Sequence, residues 1–143
     1  QGMVSIAGFA GACAVLNLDK LEELKTKRDL FETLLRTKLD GVTLQGSETG
    51  RTPNCSNIRF QGIAADTLLT ALDLDGVCIS GGSACSSGSP TPSHVLLQMG
   101  LTPEQANECV RISWGLPTTE SEIRKTAEIV TQTVQRIRAR KKL

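Results

Sequence analysis

Residues 80–97 read Ser80-Gly-Gly-Ser-Ala-Cys85-Ser-Ser-Gly-Ser-Pro90-Thr-Pro-Ser-His94-Val-Leu-Leu97. Residues 80–89 are glycine, serine and alanine around a single cysteine, Cys85. Such a segment has almost nothing to bury and cannot offset the entropy of a fixed conformation with apolar contacts. It reads as a loop with one reactive atom on it, so the fold must be made by the blocks on either side. On the upstream side, Asp75-Gly76 is a turn and residues 77–79 (Val, Cys, Ile) a short strand that delivers the chain into the loop. On the downstream side, Pro90 and Pro92 stiffen the exit, and Ser93 caps a short helix ending near Gly100.

Working outward, residues 64–72 form a helix with Leu68, Leu69 and Leu72 on its buried stripe, preceded by an alternating strand at 56–60. Thr102-Pro103-Glu104-Gln105 is a helix start, with a cap, proline at the first position and Gln three residues on. Residues 109–114 alternate and form a strand. Thr119 with Glu122 makes a second capping box, opening a helix whose stripe is Ile123, Ala127, Val130, Val134 and Ile137. Its basic end, from Arg136 to Lys142, complements the helix dipole. Toward the N-terminus, Leu18, Leu21, Leu24, Phe31, Leu34, Leu35 and Leu39 recur at helical spacing, with Glu23–Lys27 and Glu32–Arg36 as i,i+4 pairs. Asp40-Gly41 stops that helix, residues 42–44 are a short strand, and residues 45–53 a surface loop. Residues 3–16 are a strongly apolar helix, expected to be buried and to pack closely through Gly8 and Gly11, with a kink or new cap at Asn17 and Asp19. Short strands joined by helices predict an α+β fold: a small, mostly antiparallel sheet with helices packed mainly on one face.

The chain is 143 residues long, enough for one domain with a sizeable core. Lys+Arg and Asp+Glu nearly balance at 16 and 15, and aromatics make up 3%, which disfavours nucleic acid as a partner. The apolar stretch at 3–18 is shorter than the roughly 20 residues a membrane-spanning helix needs and lacks a basic leader, so no membrane role is expected. Five cysteines (Cys13, Cys55, Cys78, Cys85, Cys109) form no paired or metal-binding spacing and suit a reducing, cytoplasmic setting. The first residue is Gln1, which fits a piece of a longer protein.

Among the residues that could carry chemistry, Cys85 stands first. The other four cysteines could each sit in a core as small hydrophobes, whereas the neighbours of Cys85 offer none. From composition alone, a working thiol and an incidental one stand level. The loop could also turn backbone N–H groups toward an anion, but it lacks the Gly-Lys-Ser/Thr ending of a phosphate loop. Arg111 lies between Val110 and Ile112 in a strand and faces opposite them. An arginine there can clamp a carboxylate bidentately, although a solvated strand face is the simpler reading. His94, the single histidine, opens a short helix and reads as structural.

Residues 80–97 resemble the active-site loop of NifS-like cysteine desulfurases, in the class V branch of pyridoxal-phosphate enzymes. Thr52-Pro53-Asn54 and Asn57-Ile58-Arg59-Phe60 resemble the strand upstream of that loop. Val110-Arg111-Ile112-Ser113, Gly115, Thr118-Thr119-Glu120 and Glu122-Ile123 resemble the segment after it, and Ile6-Ala7-Gly8-Phe9 the helix between the two domains. The resemblance covers essentially the whole chain and implies the small C-terminal domain of a fold-type I enzyme, with residues 3–40 as a helical connector. It also implies that Cys85 takes sulfur from cofactor-bound L-cysteine as a persulfide, releasing alanine, and passes it to an iron–sulfur scaffold or another acceptor protein. Arg111 falls where the substrate carboxylate is held. Related lyases acting on selenocysteine or a sulfinate, and a sulfur carrier without catalysis, share the same loop. Where the family usually has arginine after the glycine, this chain has Leu116-Pro117. The family's Schiff-base lysine, stacking histidine and phosphate site have no matching motif, so the chain alone is expected to bind no pyridoxal phosphate and to be inactive. The whole enzyme is expected to be a homodimer.

Overall fold

Two strands with alternating burial set the frame. In β2 (Cys55–Phe60) the side chains of Ser56, Ile58 and Phe60 are buried, and in β4 (Cys109–Ser113) Val110 and Ile112 are buried. Because successive strand residues point to opposite faces, these five define an inner face, and Asn57, Arg59, Arg111 and Ser113 the outer one. A computed structural model of the chain describes residues 2–15, 17, 19–47, 49–81 and 92–141. In it β1 (Val42–Gln45) and β3 (Ser80–Gly81) flank the central pair, giving an antiparallel four-stranded sheet of order β1-β2-β4-β3. The inner face is covered by α2 (Lys20–Lys38), α3 (Ala65–Leu74) and α6 (Glu120–Arg140), whose apolar stripes join the strands in one core around Phe31, Leu35, Leu68, Leu72, Val130 and Val134. This is the expected α+β arrangement.

The helix starts follow the sequence signals. In α5 (Pro103–Ala106) Thr102 and Gln105 form a complete capping box, and in α6 Thr119 and Glu122 do the same. The short helix α4 (His94–Gln98) follows Ser93, whose side chain makes no capping hydrogen bond, contrary to expectation, and its Leu96 packs with Ala106 and Cys109 in a second, smaller cluster. Gly41 ends the α2 connection at φ 63°, in the left-handed region open to glycine.

Several expectations are corrected. The apolar helix α1 (Met3–Ala14) buries no residue. A Cβ built at Gly8 or Gly11 meets nothing within 4 Å, so these glycines mediate no close packing here. Its composition reports a demand for cover that no described part of the chain meets. Beyond it, Asn17 Oδ1 accepts from the Asp19 N–H at 2.8 Å, turning the chain before α2 as a kink there requires. The strand expected at 77–79 is displaced: pairing begins at Ser80, where β4 offers Arg111 as partner, and the apolar character of Val77 and Ile79 reflects contact with the core. The basic end of α6 does more than complement its dipole. Arg138 donates to the carbonyls of Asp40 and Gln61 at 2.6 and 3.1 Å, and Lys141 to that of Gly62 at 2.6 Å.

The charged side chains of α2 also depart from expectation. Glu32 does not pair with Arg36; it turns inward and accepts from Arg51 Nη1 and Nη2 at 2.7 and 2.9 Å and from Ser56 Oγ at 2.6 Å. The fork on Arg51 keeps its guanidinium protonated above the usual arginine range. By contrast the expected Glu23–Lys27 pair does form, with Lys27 buried and its ammonium donating to Glu23 and to the Leu116 carbonyl.

Candidate functional site around Arg111

Arg111 stands on the outer face of β4 because Val110 and Ile112 on either side are drawn into the core. The register sets its neighbours. Asn57 of β2 lies opposite it on one side and Ser80 of β3 on the other, and Gln45 of β1 lies opposite Asn57. A single polar row, Gln45–Asn57–Arg111–Ser80, thus crosses all four strands. The Ser80 hydroxyl donates to the Arg111 carbonyl at 3.3 Å.

The short strand β3 is held down from the opposite side. A Cβ on Gly81 would lie 3.4 Å from Leu69 Cδ1 and 3.5 Å from Ala65 Cβ, ordinary contact distances, so β3 lies directly against α3. The segment carrying Cys85 therefore departs from a point fixed beside Arg111. It returns to α4, which is anchored through Leu96 to Cys109, two positions before Arg111 on the same outer face. Cys85 itself lies outside the described residues, as does the rest of 82–91.

Electrostatics single out Arg111. Arg59, also on the outer face, is engaged by Glu108: its Nε donates to Oε2 at 2.7 Å, while the Gly62 N–H donates to Oε1 at 2.8 Å. Among the described residues nothing accepts from the Arg111 guanidinium, and its side chain is exposed. A guanidinium with its fork open is suited to a planar carboxylate. His94 is exposed in the first turn of α4, as its reading as structural allows.

The other thiols divide by burial, and not as expected. Only Cys109 among the described cysteines is buried; Cys13 and Cys78 are exposed and Cys55 half-buried. Burial pushes the Cys109 thiol up to about 11, with Arg59 opposing and Glu108 adding to the shift. At neutral pH it stays protonated and unreactive.

Asn57, in the same row as Arg111, was not singled out in the sequence. It sits in a strand that alternates like any other, and only the pairing register brings it beside the arginine.

The described residues do not by themselves make a site for pyridoxal phosphate. Every described lysine is exposed except Lys27, whose amine is committed to Glu23 and the Leu116 carbonyl. Trp114 offers no ring face: it is buried against Phe31 at 5.7 Å between centroids, with Nε1 donating to the Leu24 carbonyl. Among the described residues no cluster of three or more His, Cys, Asp or Glu side chains could hold a metal, and no helix is long and apolar enough to cross a membrane.

Comparison with known proteins bears on the family and the fold. The family model for aminotransferase class-V matches residues 2–126. A cysteine desulfurase IscS from Dictyoglomus turgidum is 34% identical over 143 residues, covering 96% of this chain and 36% of that protein. A cysteine desulfurase from Frankia sp. is 39% identical over 140 residues, covering 94% and 33%. The X-ray structure of a NifS-like protein from Rickettsia africae has a TM-score of 0.69 at 26% identity, over 82% of this chain and 31% of that one. The chain spans about a third of the length of the curated relatives it matches.

Proposed function

We propose, from the premise that this chain belongs to the aminotransferase class-V family, that it is the small C-terminal domain of a cysteine desulfurase. Residues 3–40 would be its helical connector to a domain that holds the cofactor. The observation that carries the reading is positional: the segment bearing Cys85 starts from Ser80–Gly81, paired beside Arg111, the outer-face arginine with no acceptor among the described residues, and leads into α4, whose Leu96 packs with Cys109 of the same strand. Cys85 lies four residues beyond Gly81, a span of at most about 14 Å of extended chain.

In this reading Arg111 holds the carboxylate of L-cysteine through two parallel N–H···O bonds and fixes which end of the substrate faces inward. Cys85, as thiolate, bonds to the substrate sulfur. The substrate's C–S bond breaks, the carbon takes a proton and leaves as alanine, and Cys85 retains the sulfur as a persulfide. The electron sink this cleavage requires is the family's pyridoxal phosphate, which we assign to the cofactor domain rather than to the described residues of this chain. A sulfur-acceptor protein, such as an iron–sulfur scaffold, then receives the outer sulfur. The glycines and serines around Cys85 suit a thiol that must meet both a substrate and a partner.

The test uses the enzyme that contains this chain together with its cofactor domain. Cys85→Ser is expected to abolish alanine formation from cysteine while leaving the cofactor absorbance in place. Arg111→Lys, which keeps charge but loses the fork, is expected to raise KM for cysteine by about tenfold or more. Alanine formation at the normal rate in Cys85→Ser would remove that residue from the mechanism.

A further inference from the structure

Among the described residues the outer-face row contains one buried polar atom left without a partner. Asn57 Oδ1 is buried and has no hydrogen bond among the described residues. A buried acceptor in that state is costly, so an acceptor facing a donor-rich neighbour is expected to be satisfied when that neighbour takes its working position.

The donors within reach can be sorted by the register. Gln45, opposite on β1, turns Nε2 back to the Thr43 carbonyl at 3.3 Å. Arg59, two residues along the same strand face, is held by Glu108. Cys55, two residues the other way, carries at best a weak S–H donor. Arg111, directly opposite on β4, has a guanidinium that nothing accepts from among the described residues. Directly paired side chains on one face have Cβ atoms about 4.5–5.5 Å apart, within hydrogen-bonding reach for an asparagine and an arginine.

We infer that Asn57 is a positioning residue for Arg111: its Oδ1 accepts one guanidinium N–H and fixes the orientation of the fork that grips the α-carboxylate of a small amino-acid substrate. A guanidinium has five N–H donors. A bidentate carboxylate uses two and leaves three, so the asparagine and the substrate do not compete. The bond ties the clamp to the central strand of the sheet and lowers the number of orientations it must give up when substrate arrives. The inference rests on the reading of Arg111 as the carboxylate clamp.

The experiment is a double-mutant cycle on the cofactor-loaded enzyme containing this chain, with steady-state kinetics on cysteine. Asn57→Ala, and Asn57→Val as a variant better suited to a strand, are each expected to raise KM about tenfold while kcat changes by less than about threefold. Combined with Arg111→Lys, either is expected to add less than about twofold, because the clamp it orients is already lost. In the 143-residue chain, the Arg111 Nε–Hε resonance is expected to move in Asn57→Val while that of Arg59 stays. Unchanged KM in Arg111→Lys overturns the underlying reading of Arg111. Raised KM in Arg111→Lys, with Asn57→Val at the wild-type KM, overturns the role of Asn57 alone. Independent, multiplicative effects of the two substitutions overturn it as well.

Discussion

Replacing Glu32 by alanine removes the acceptor at the centre of a buried charge network. Glu32 is 5% exposed and receives both Nη groups of Arg51 and the hydroxyl of Ser56, with Arg28 Nε 3.9 Å away. Without it, Arg51 loses a two-pronged partner, and the Ser56 hydroxyl, itself 1% exposed, loses its acceptor. Arg28 is better protected, since it also donates to Asp29 and to the Thr52 carbonyl. Breaking a buried pair by removing one partner costs about 3–5 kcal/mol, most of it from the charge left uncompensated. The side chain of Arg51 retains 17% exposure, so water recovers part of that and the lower end, about 3 kcal/mol, is expected. Trp114, the single tryptophan, is buried against Phe31, the residue before Glu32, and reports unfolding directly. Urea titration followed by its fluorescence should show a lower midpoint at unchanged slope. A loss below about 1 kcal/mol would mean that the network behaves as an exposed ion pair, and would refute the argument that burial makes it costly to break.

Three other outcomes follow from the same structure. Thr119→Ala removes the cap of α6 and should cost about 1 kcal/mol at neutral pH. The Thr119 backbone N–H, then its hydroxyl, hold the Glu122 carboxyl below its usual range, so this stabilisation exists above the unfolded carboxylate pKa and is lost as pH falls through the lower folded value; the gap between variant and wild type should narrow in acid melts. The Cys109 thiol, raised by burial to about 11, favours the folded state fully below the unfolded thiol pKa and loses that contribution as pH rises toward 11; Cys109→Ala should flatten the alkaline decline in melting temperature, and alkylation at pH 8 followed by peptide mapping should label Cys109 after Cys13 and Cys78. Ile6→Lys with Phe9→Lys should leave the unfolding free energy of this chain from urea titration within about 0.5 kcal/mol of wild type, since both side chains are exposed on α1.

What could be read from the sequence depended on how far each signal reaches along the chain. The strands β2 and β4 and the starts of α5 and α6 were legible because alternation and capping boxes are complete within a few residues. Glu32 was misread for the opposite reason: its helical neighbour Arg36 is four residues away, but the groups that claim it lie 19 and 24 residues along, across a loop. Burial failed in the same way. Cys13 and Cys78 sit in apolar surroundings in sequence, yet whether a residue is covered depends on a partner element. The short strand β3 shows that pairing also belongs to the partner, since two weakly strand-forming residues, Ser80 and Gly81, pair where Val77 and Ile79 do not.

The division of labour between the strands gives the site its logic. In the proposed reading Arg111 is a carboxylate clamp, effective only if the substrate does not have to order it, and it stands on one of the two central strands, paired on both sides. In the same reading the thiol's segment has the opposite requirement, because its atom would have to approach a substrate held elsewhere and then an acceptor. It springs from β3, an edge strand of only two residues, held by one ladder and the close approach of Gly81 to α3. On this reading the segment bearing Cys85 leaves the sheet from β3, so a strand hidden in the sequence among the apolar residues before it supplies what the proposed chemistry asks for: a fixed point of departure beside the clamp.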